Sequence, residues 1–150
     1  MVMFIMVKLF NMLTKFKDIV ARSRRSRKVQ LQYDEFKATH KGKKCTFCTI
    51  GKTALNDIVA EYKHFYVIKN KFPYEIWENS PVIDHLMIIP KEHFYELADM
   101  TPSERKTLVE IIGVYESLGY SFYGRSPENT SRSMIHQHTH LIRTTSISTK

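Results

Sequence analysis

Three histidines near the C-terminus, His136, His138 and His140, are the residues best suited to chemistry in this 150-residue chain. Side chains alternate between the two faces of an extended segment, so all three imidazoles should point to the same side. Such a row can bind a metal, or one ring can attack phosphorus while its neighbours bind the phosphate oxygens. A merely polar strand face is the weaker interpretation, because aligned histidines are costly to bury without partners.

Cys45 and Cys48 are the two cysteines of the chain. A Cys-x-x-Cys pair is typical of half a zinc site or of a redox motif, and two plain structural cysteines are the alternative. A disulfide framework would need more pairs at longer spacing.

The elements that must position these residues are predicted strands around one strong helix signal. Strands are expected at 54–59, 64–69, 85–89, 120–123 and 133–142, and the last of them carries the three histidines. Thr101, Pro102 and Glu104 predict a capping box, and Gly119 is expected to end the helix that follows. Strands without regular β-α-β alternation indicate an α+β fold with a mainly antiparallel five-stranded sheet.

The first 44 residues differ in charge from the rest of the chain. They contain twelve Lys/Arg against three Asp/Glu, whereas residues 45–150 contain eleven against twelve. Apolar residues recur at helical spacing over 4–20, and a basic cluster follows at 22–28. We therefore expect a basic helical extension, 1–44, and a folded domain, 45–150. The extension could bind nucleic acid or a membrane surface, act as an organellar targeting segment, or pack on the domain or on a second copy.

We expect the protein to be intracellular and cytoplasmic. No stretch approaches the ~20 apolar residues that a membrane span needs. The apolar start of the chain is short, and it lacks the basic region and the small-residue cleavage site of a secretory signal.

Residues 136–142 resemble the His-φ-His-φ-His-φ-φ signature of the histidine-triad (HIT) nucleotide-binding and hydrolase superfamily, φ being an apolar residue. Other segments agree in order. Residues 45–50 resemble the Cys-x-Phe-Cys-x-Ile opening of many bacterial members, and residues 85–93 resemble the family's His-hydrophobic-Pro-Lys-x-His strand. The Leu-Gly-Tyr at 118–120 lies before the triad as in the nucleotide-binding branch. The resemblance covers residues 45–143, and it implies a HIT-like fold and a symmetric homodimer.

The resemblance also implies an activity. HIT proteins hydrolyse or transfer a nucleotidyl group from a nucleoside phosphate ester, anhydride or phosphoramidate. His138 would attack the α-phosphorus and form a covalent nucleotidyl-histidine. His140 and Ser133 would hold the phosphate oxygens, and Asn70 would contact the ribose or serve only as a turn residue.

Similar bacterial members hold a structural zinc, which implies Cys45, Cys48, His93 and His136 as ligands in this chain. Two sulfur and two nitrogen ligands suit tetrahedral zinc. His136 would then support the segment that carries the other two histidines, and it would not touch the substrate.

Five residues depart from the family pattern. Gln137 and Thr139 stand where apolar residues are usual, so the buried face is either unusually polar or partly exposed. Arg125 replaces an asparagine, and Ser131-Arg132 stands where a Gly-Gln pair is usual. The two arginines could favour a more highly charged substrate, such as a dinucleoside polyphosphate or a nucleic-acid end, or they could be solvated loop residues. Two alternatives stay open: a non-catalytic nucleotide- or RNA-binding protein with a structural zinc, and a zinc-dependent interaction protein.

Overall fold

The computed structural model describes residues 23–145, which form an α+β fold with antiparallel strands, as predicted. The strands are β1 (Ser23–Arg24), β2 (Ile58–Glu61), β3 (Phe65–Lys69), β4 (Ile76–Trp77), β5 (Ser80–Pro90), β6 (Ser121–Tyr123) and β7 (Thr139–Thr144). The α-helices are α1 (Arg27–His40), α2 (Ile50–Thr53) and α3 (Pro102–Ser117). Short 3₁₀ helices occupy Thr46–Thr49, Leu55–Asp57 and Leu97–Asp99. Within 23–145, no helix has the length and apolarity needed to cross a membrane.

Five strands form the predicted sheet, in the order β2-β3-β5-β7-β6, and the two-residue strands β4 and β1 extend it beside the start of β5. β5 is the central strand, and it pairs with β3 on one side and with β7 on the other. Its residues 85–90 are all buried. A functional side chain on β5 or β7 therefore projects from a strand that is hydrogen-bonded to a neighbouring strand on each side.

The two faces of the sheet bury different partners, because side chains alternate along each strand. On one face, Leu86 and Ile88 pack in a cluster with residues of α3 such as Leu108 and Ile111. On the opposite face, Met87 and Ile89 pack against Ile50 and the other apolar residues of the segment 46–58. The helix α3 thus covers one face, and the other face is left to the short helices and to the histidines.

The start and the end of α3 confirm the sequence prediction. Thr101 accepts a hydrogen bond from the amide of Glu104, whose carboxylate accepts from the Thr101 amide at 2.7 Å, and Pro102 occupies the first turn. Two hydrogen bonds to Thr101 lower the pKa of the Glu104 carboxyl. Gly119 follows the helix with φ of +86°, a left-handed conformation that glycine adopts without steric cost.

Two predicted strands begin later than the sequence indicated. Residues 54–57 are not in a strand, because the amides of Ala54 and Asp57 donate to helical-turn carbonyls instead of to a neighbouring strand. The last strand begins at Thr139 and not at 133. The Arg132 guanidinium binds the carbonyls of Met134 and Ile135. As a consequence, only one of the three histidines lies within a regular strand.

The helix α1 was not predicted, whereas the amphipathic helix expected at 4–20 lies outside the described residues. Ser26 caps α1 by accepting from the Val29 amide at 3.3 Å. Tyr33 and Phe36 project from one side of α1, and both rings contact Phe72 in the loop after β3. The basic extension therefore contains a helix that packs on the domain within the range 25–40.

The capping box of α3 offers a test of the fold. We expect Thr101→Ala to lower the free energy of unfolding by about 1 kcal/mol, because the Glu104 amide loses its acceptor at the helix N-terminus. Urea denaturation followed by circular dichroism measures the change. Ser103→Ala, a neighbouring exposed hydroxyl on the first turn, is the matched control and should stay within about 0.5 kcal/mol of wild type. Equal stability of Thr101→Ala and the control would contradict the capping role.

Candidate functional site

The three histidines lie on the face of the sheet opposite α3, where they line a cavity of about 1320 Å³. Its walls also include the segment 43–47, the loop 69–72 and the helix α1. Gln137 and Thr139 do not line it, so the alternation predicted from the sequence places the three imidazoles on one side as expected. All three rings are buried, and His138 is the most accessible at 9 % exposure.

His138 presents one ring nitrogen without a proton. Its Nδ1 lies 2.9 Å from the carbonyl oxygen of His136, and a carbonyl can only accept. A neutral His138 therefore carries its proton on Nδ1, which leaves the Nε2 lone pair unprotonated. Burial lowers the pKa of His138, and the positive charges of Arg132 and Arg125 lower it further, although the hydrogen bond to His136 acts in the opposite direction. The ring is accordingly neutral at pH 7, as a nucleophile must be.

His140 is oriented by a second histidine, His85, on the adjacent strand β5. The backbone amide of Tyr74 donates to His85 Nδ1 at 3.1 Å, so a neutral His85 carries its proton on Nε2. That nitrogen lies 2.9 Å from His140 Nδ1 and donates to it, which leaves the proton of His140 on Nε2. The side-chain nitrogen of Asn70 also lies 3.0 Å from His85 Nε2. His140 thus has a donor at Nε2.

Burial is also the first reason why the pKa values of His85 and His140 are low. The pKa of His85 falls to about 3, with a further contribution from the charge of Arg25. The pKa of His140 falls well below its usual value, first by burial and then through His138, His85 and Arg125. His85, His138 and His140 are therefore all neutral near pH 7.

Asn70 and Ser133, both predicted to contact substrate, lie at the cavity. Asn70 accepts from the Phe72 amide at 2.8 Å, which is the turn role that was its alternative interpretation. Ser133 is exposed, and its hydroxyl accepts from the Tyr33 hydroxyl at 2.5 Å. Its own hydroxyl proton is still available to a ligand.

The two arginines predicted as substrate residues occupy different surroundings. Arg125 lines the cavity, donates to the Tyr74 hydroxyl at 2.8 Å, and places Nη1 3.4 Å from His140 Nε2. Arg132 is outside the cavity wall, and its guanidinium donates to three backbone carbonyls and to Gln137 Oε1. The structure therefore places only Arg125 beside the histidines, and Arg132 braces the loop that leads to them.

Gln137 and Thr139 resolve the alternative left open by the sequence. Both are buried, at 6 % and 7 % exposure. Gln137 accepts from Arg132 at 3.2 Å, and Thr139 pairs with Ile88 across the sheet. The inward face of the triad segment is thus polar and buried, and at Gln137 an arginine satisfies the side-chain oxygen.

The four residues predicted to hold zinc form one cluster. Cys45, Cys48, His93 and His136 each offer one ligand atom, and these atoms lie within 4.8 Å of one another. The Nδ1 atom of His136 is 3.5 Å from both sulfurs, and Cys48 Sγ is 3.1 Å from His93 Nδ1. Nδ1 of His136 is free to bind a metal, because its Nε2 donates to the carbonyl of Pro90 at 2.9 Å.

The donor set of this cluster fits zinc. Bonds of about 2.0–2.3 Å to two sulfurs and two nitrogens place tetrahedral ligand atoms about 3.3–3.8 Å apart, near the separations in the cluster. His136 and His138 are two residues apart and joined by the carbonyl of His136. The cluster and His138 therefore share one short segment of chain.

Three residues that build the site were not predicted to be part of it. His85 lay in a predicted buried strand that also matched the family motif at 85–93, but no role in the site was assigned to it, although a histidine at the start of an apolar run was a usable signal. Tyr74 stacks on His85 with ring centroids 4.9 Å apart. Arg25 reaches the cavity from the N-terminal extension, and no pattern in the sequence places it there.

Comparison with known proteins identifies similar chains. No protein-family model matches. An uncharacterized HIT-like protein from Chlamydia muridarum is 33% identical over 94 residues, which cover 57% of this chain and 69% of that protein. An uncharacterized HIT-like protein from Chlamydia trachomatis is 32% identical over 94 residues, which cover 57% of this chain and 78% of the relative.

Solved structures agree with these relatives. A HIT family hydrolase from Clostridium thermocellum superposes with a TM-score of 0.53 and 26% identity, over 71% of this chain and 95% of that one. A zinc-bound histidine triad family protein from Mycobacterium smegmatis shares the fold, with a TM-score of 0.51, 18% identity, and 70% and 78% of the two chains covered.

The low pKa of His85 makes stability depend on pH. Below pH 6.5 the unfolded chain binds a proton at residue 85 that the folded chain does not, so folding is destabilised as pH falls from about 6.5 towards 3. We expect His85→Asn to remove this titrating group. Below pH 6 the free energy of unfolding should then change less steeply with pH than in wild type, by up to about 1.4 kcal/mol per pH unit. Urea denaturation of both proteins between pH 8 and pH 5 measures the difference. A wild-type-to-variant gap that stays constant over this range would show that His85 is not held neutral by the fold.

Proposed function

The chain belongs to the HIT family, and from that premise we propose that it hydrolyses or transfers the nucleotidyl group of a nucleoside phosphate anhydride, ester or phosphoramidate through a covalent bond to His138. Support comes from the hydrolase named among its structural neighbours and, above all, from one feature of the site. That feature is the hydrogen bond from His138 Nδ1 to the His136 carbonyl, which leaves an unprotonated Nε2 in the cavity.

The proposed first step is attack of His138 Nε2 on the α-phosphorus. A P–N bond forms, and the bond from phosphorus to the leaving group breaks, with its electron pair going to the leaving group. A polyphosphate leaves as an anion, whereas an amine leaving group takes up a proton. That proton comes from solvent, because a neutral imidazole is too weak an acid to supply it. The Nε2–H of His140 stays on the ring and stabilises charge on the phosphate oxygens.

In the second step water attacks the same phosphorus, and the P–N bond breaks. One proton is released, the nucleoside monophosphate departs, and His138 returns to its neutral form. Another nucleophile in place of water would make the protein a transferase. Two displacements through a nitrogen nucleophile replace one direct attack by water.

We also propose that Cys45, Cys48, His93 and His136 hold a structural zinc. When bound, the metal would join the segment 45–48 to the end of β5 and to the triad segment. A structural zinc contributes its binding free energy to folding, so it would fix the position of the His136 carbonyl that orients His138.

The nucleophile is tested by His138→Ala. We expect turnover of adenosine 5′-phosphoramidate and of diadenosine polyphosphates to fall at least about 1000-fold, because no other group described in the cavity offers an unprotonated nitrogen at that place. Intact-mass spectrometry of quenched wild type should detect a nucleotidyl adduct that His138→Ala lacks.

His64→Ala is the matched control. His64 directly precedes β3, whereas the cavity lies at the other end of that strand, and His64 does not line the cavity. It should retain wild-type turnover and the adduct. Full turnover by His138→Ala, or an inactive wild type, would refute the enzymatic proposal and favour a non-catalytic nucleotide- or RNA-binding protein.

The metal is tested by His93→Gln and Cys48→Ser. Each should reduce the zinc content measured by plasma mass spectrometry from about one per chain to a small fraction, and should lower the melting temperature. His64→Gln replaces a histidine outside the cluster and should retain zinc. Equal zinc content in His93→Gln and His64→Gln would remove this cluster as the metal site.

A further inference from the structure

The cavity is more positively charged than one reacting phosphate requires. Among the described residues, eight lysines and arginines line it against one acid, Asp57. Its volume of about 1320 Å³ exceeds the ~300–1000 Å³ typical of small-molecule sites. The charge and the room suit a ligand with several phosphates.

Two of these cations, Arg25 and Arg125, meet at one tyrosine. Arg125 donates to the hydroxyl of Tyr74, while the guanidinium of Arg25 lies over the Tyr74 ring, 4.7 Å from its centroid. The guanidinium of Arg25 also lies 4.2 Å from the ring centroid of Tyr33 in α1, and its Nε donates to the Phe72 carbonyl at 2.9 Å. Arg25 is thus held by two aromatic rings and one carbonyl.

Neither arginine forms an ion pair within residues 25–145. The Nη1 of Arg125 faces His140 Nε2 at 3.4 Å, and by the tautomer derived above both atoms are donors. Two donors this close gain from an acceptor placed between them, and an oxygen of the reacting phosphate is such an acceptor. Arg125 therefore stands at the border between that phosphate and the next one. Arg25 continues the same positive wall, since its charge acts on both His140 and His85.

We infer that Arg25 and Arg125 form a second anion subsite, which binds the phosphates of a substrate beyond the one that His138 attacks. The subsite is completed by the N-terminal extension, because Arg25 and Tyr33 both precede the domain that begins near Cys45. The inference rests on the proposed function for the position of the reacting phosphate. It assigns the protein a preference for nucleoside polyphosphates over substrates with a single phosphate.

Arg25→Gln tests the subsite, with Arg27→Gln as the control of equal charge. Arg27 is exposed on the first turn of α1 and does not line the cavity. We expect Arg25→Gln to lower kcat/KM for diadenosine tetraphosphate at least about tenfold and for adenosine 5′-phosphoramidate less than twofold. Arg27→Gln should change neither. Equal losses on both substrates, or equal losses in the two variants, would overturn the inference.

Binding separates this inference from the catalytic proposal. Calorimetry with inorganic tripolyphosphate needs no turnover, and Arg25→Gln should bind it at least about tenfold more weakly than wild type and Arg27→Gln do. If wild type is inactive but this difference is found, the subsite stands and the proposed reaction fails. If turnover depends on His138 but tripolyphosphate binds equally to all three proteins, the subsite fails alone. Arg25→Lys, which keeps the charge, should bind more tightly than Arg25→Gln, and the reverse order would contradict an anion subsite.

Discussion

Each imidazole of the triad has its proton placed by a neighbouring group, and the geometry of the site depends on this. Two backbone carbonyls, of Pro90 and His136, accept from His136 and His138, while the Tyr74 amide acts on His140 through His85. Burial makes the rings neutral, and a neutral imidazole has one donor and one acceptor. These backbone groups thus decide, for each ring, which nitrogen carries the proton and which nitrogen offers a lone pair.

The sequence predicted much of this arrangement because the signals were local. The capping box of α3 spans four residues, and alternation in an extended segment placed three histidines on one side even though only His140 lies in a regular strand. The cysteine and histidine cluster required a family resemblance, because Cys45 and His136 are far apart in sequence. Chemistry alone would have left the cysteines as half of several possible sites.

What the sequence did not predict depends on contacts between distant segments. The strand limits at 58 and 139 moved because particular amides and carbonyls bind outside the sheet, as with Arg132 and the carbonyls of Met134 and Ile135. Arg25 could not be placed at the cavity from its neighbours, since it was one of several arginines in a basic cluster. Its place at the cavity follows from where α1 packs. The apolar side of α1 is too short for the sequence pattern to predict that packing.

The wall formed by α1 is attached differently from the rest of the cavity. Arg25 and α1 reach the loops through one hydrogen bond from Arg25, one from Tyr33, and contacts of the Tyr33 and Phe36 rings with Phe72, and α1 itself pairs with no strand. Regions held by few buried contacts open at a lower free energy than the core. The helix should therefore detach at a lower free energy than the strands that hold the histidines, so the cavity can widen at this wall while the histidines keep their alignment.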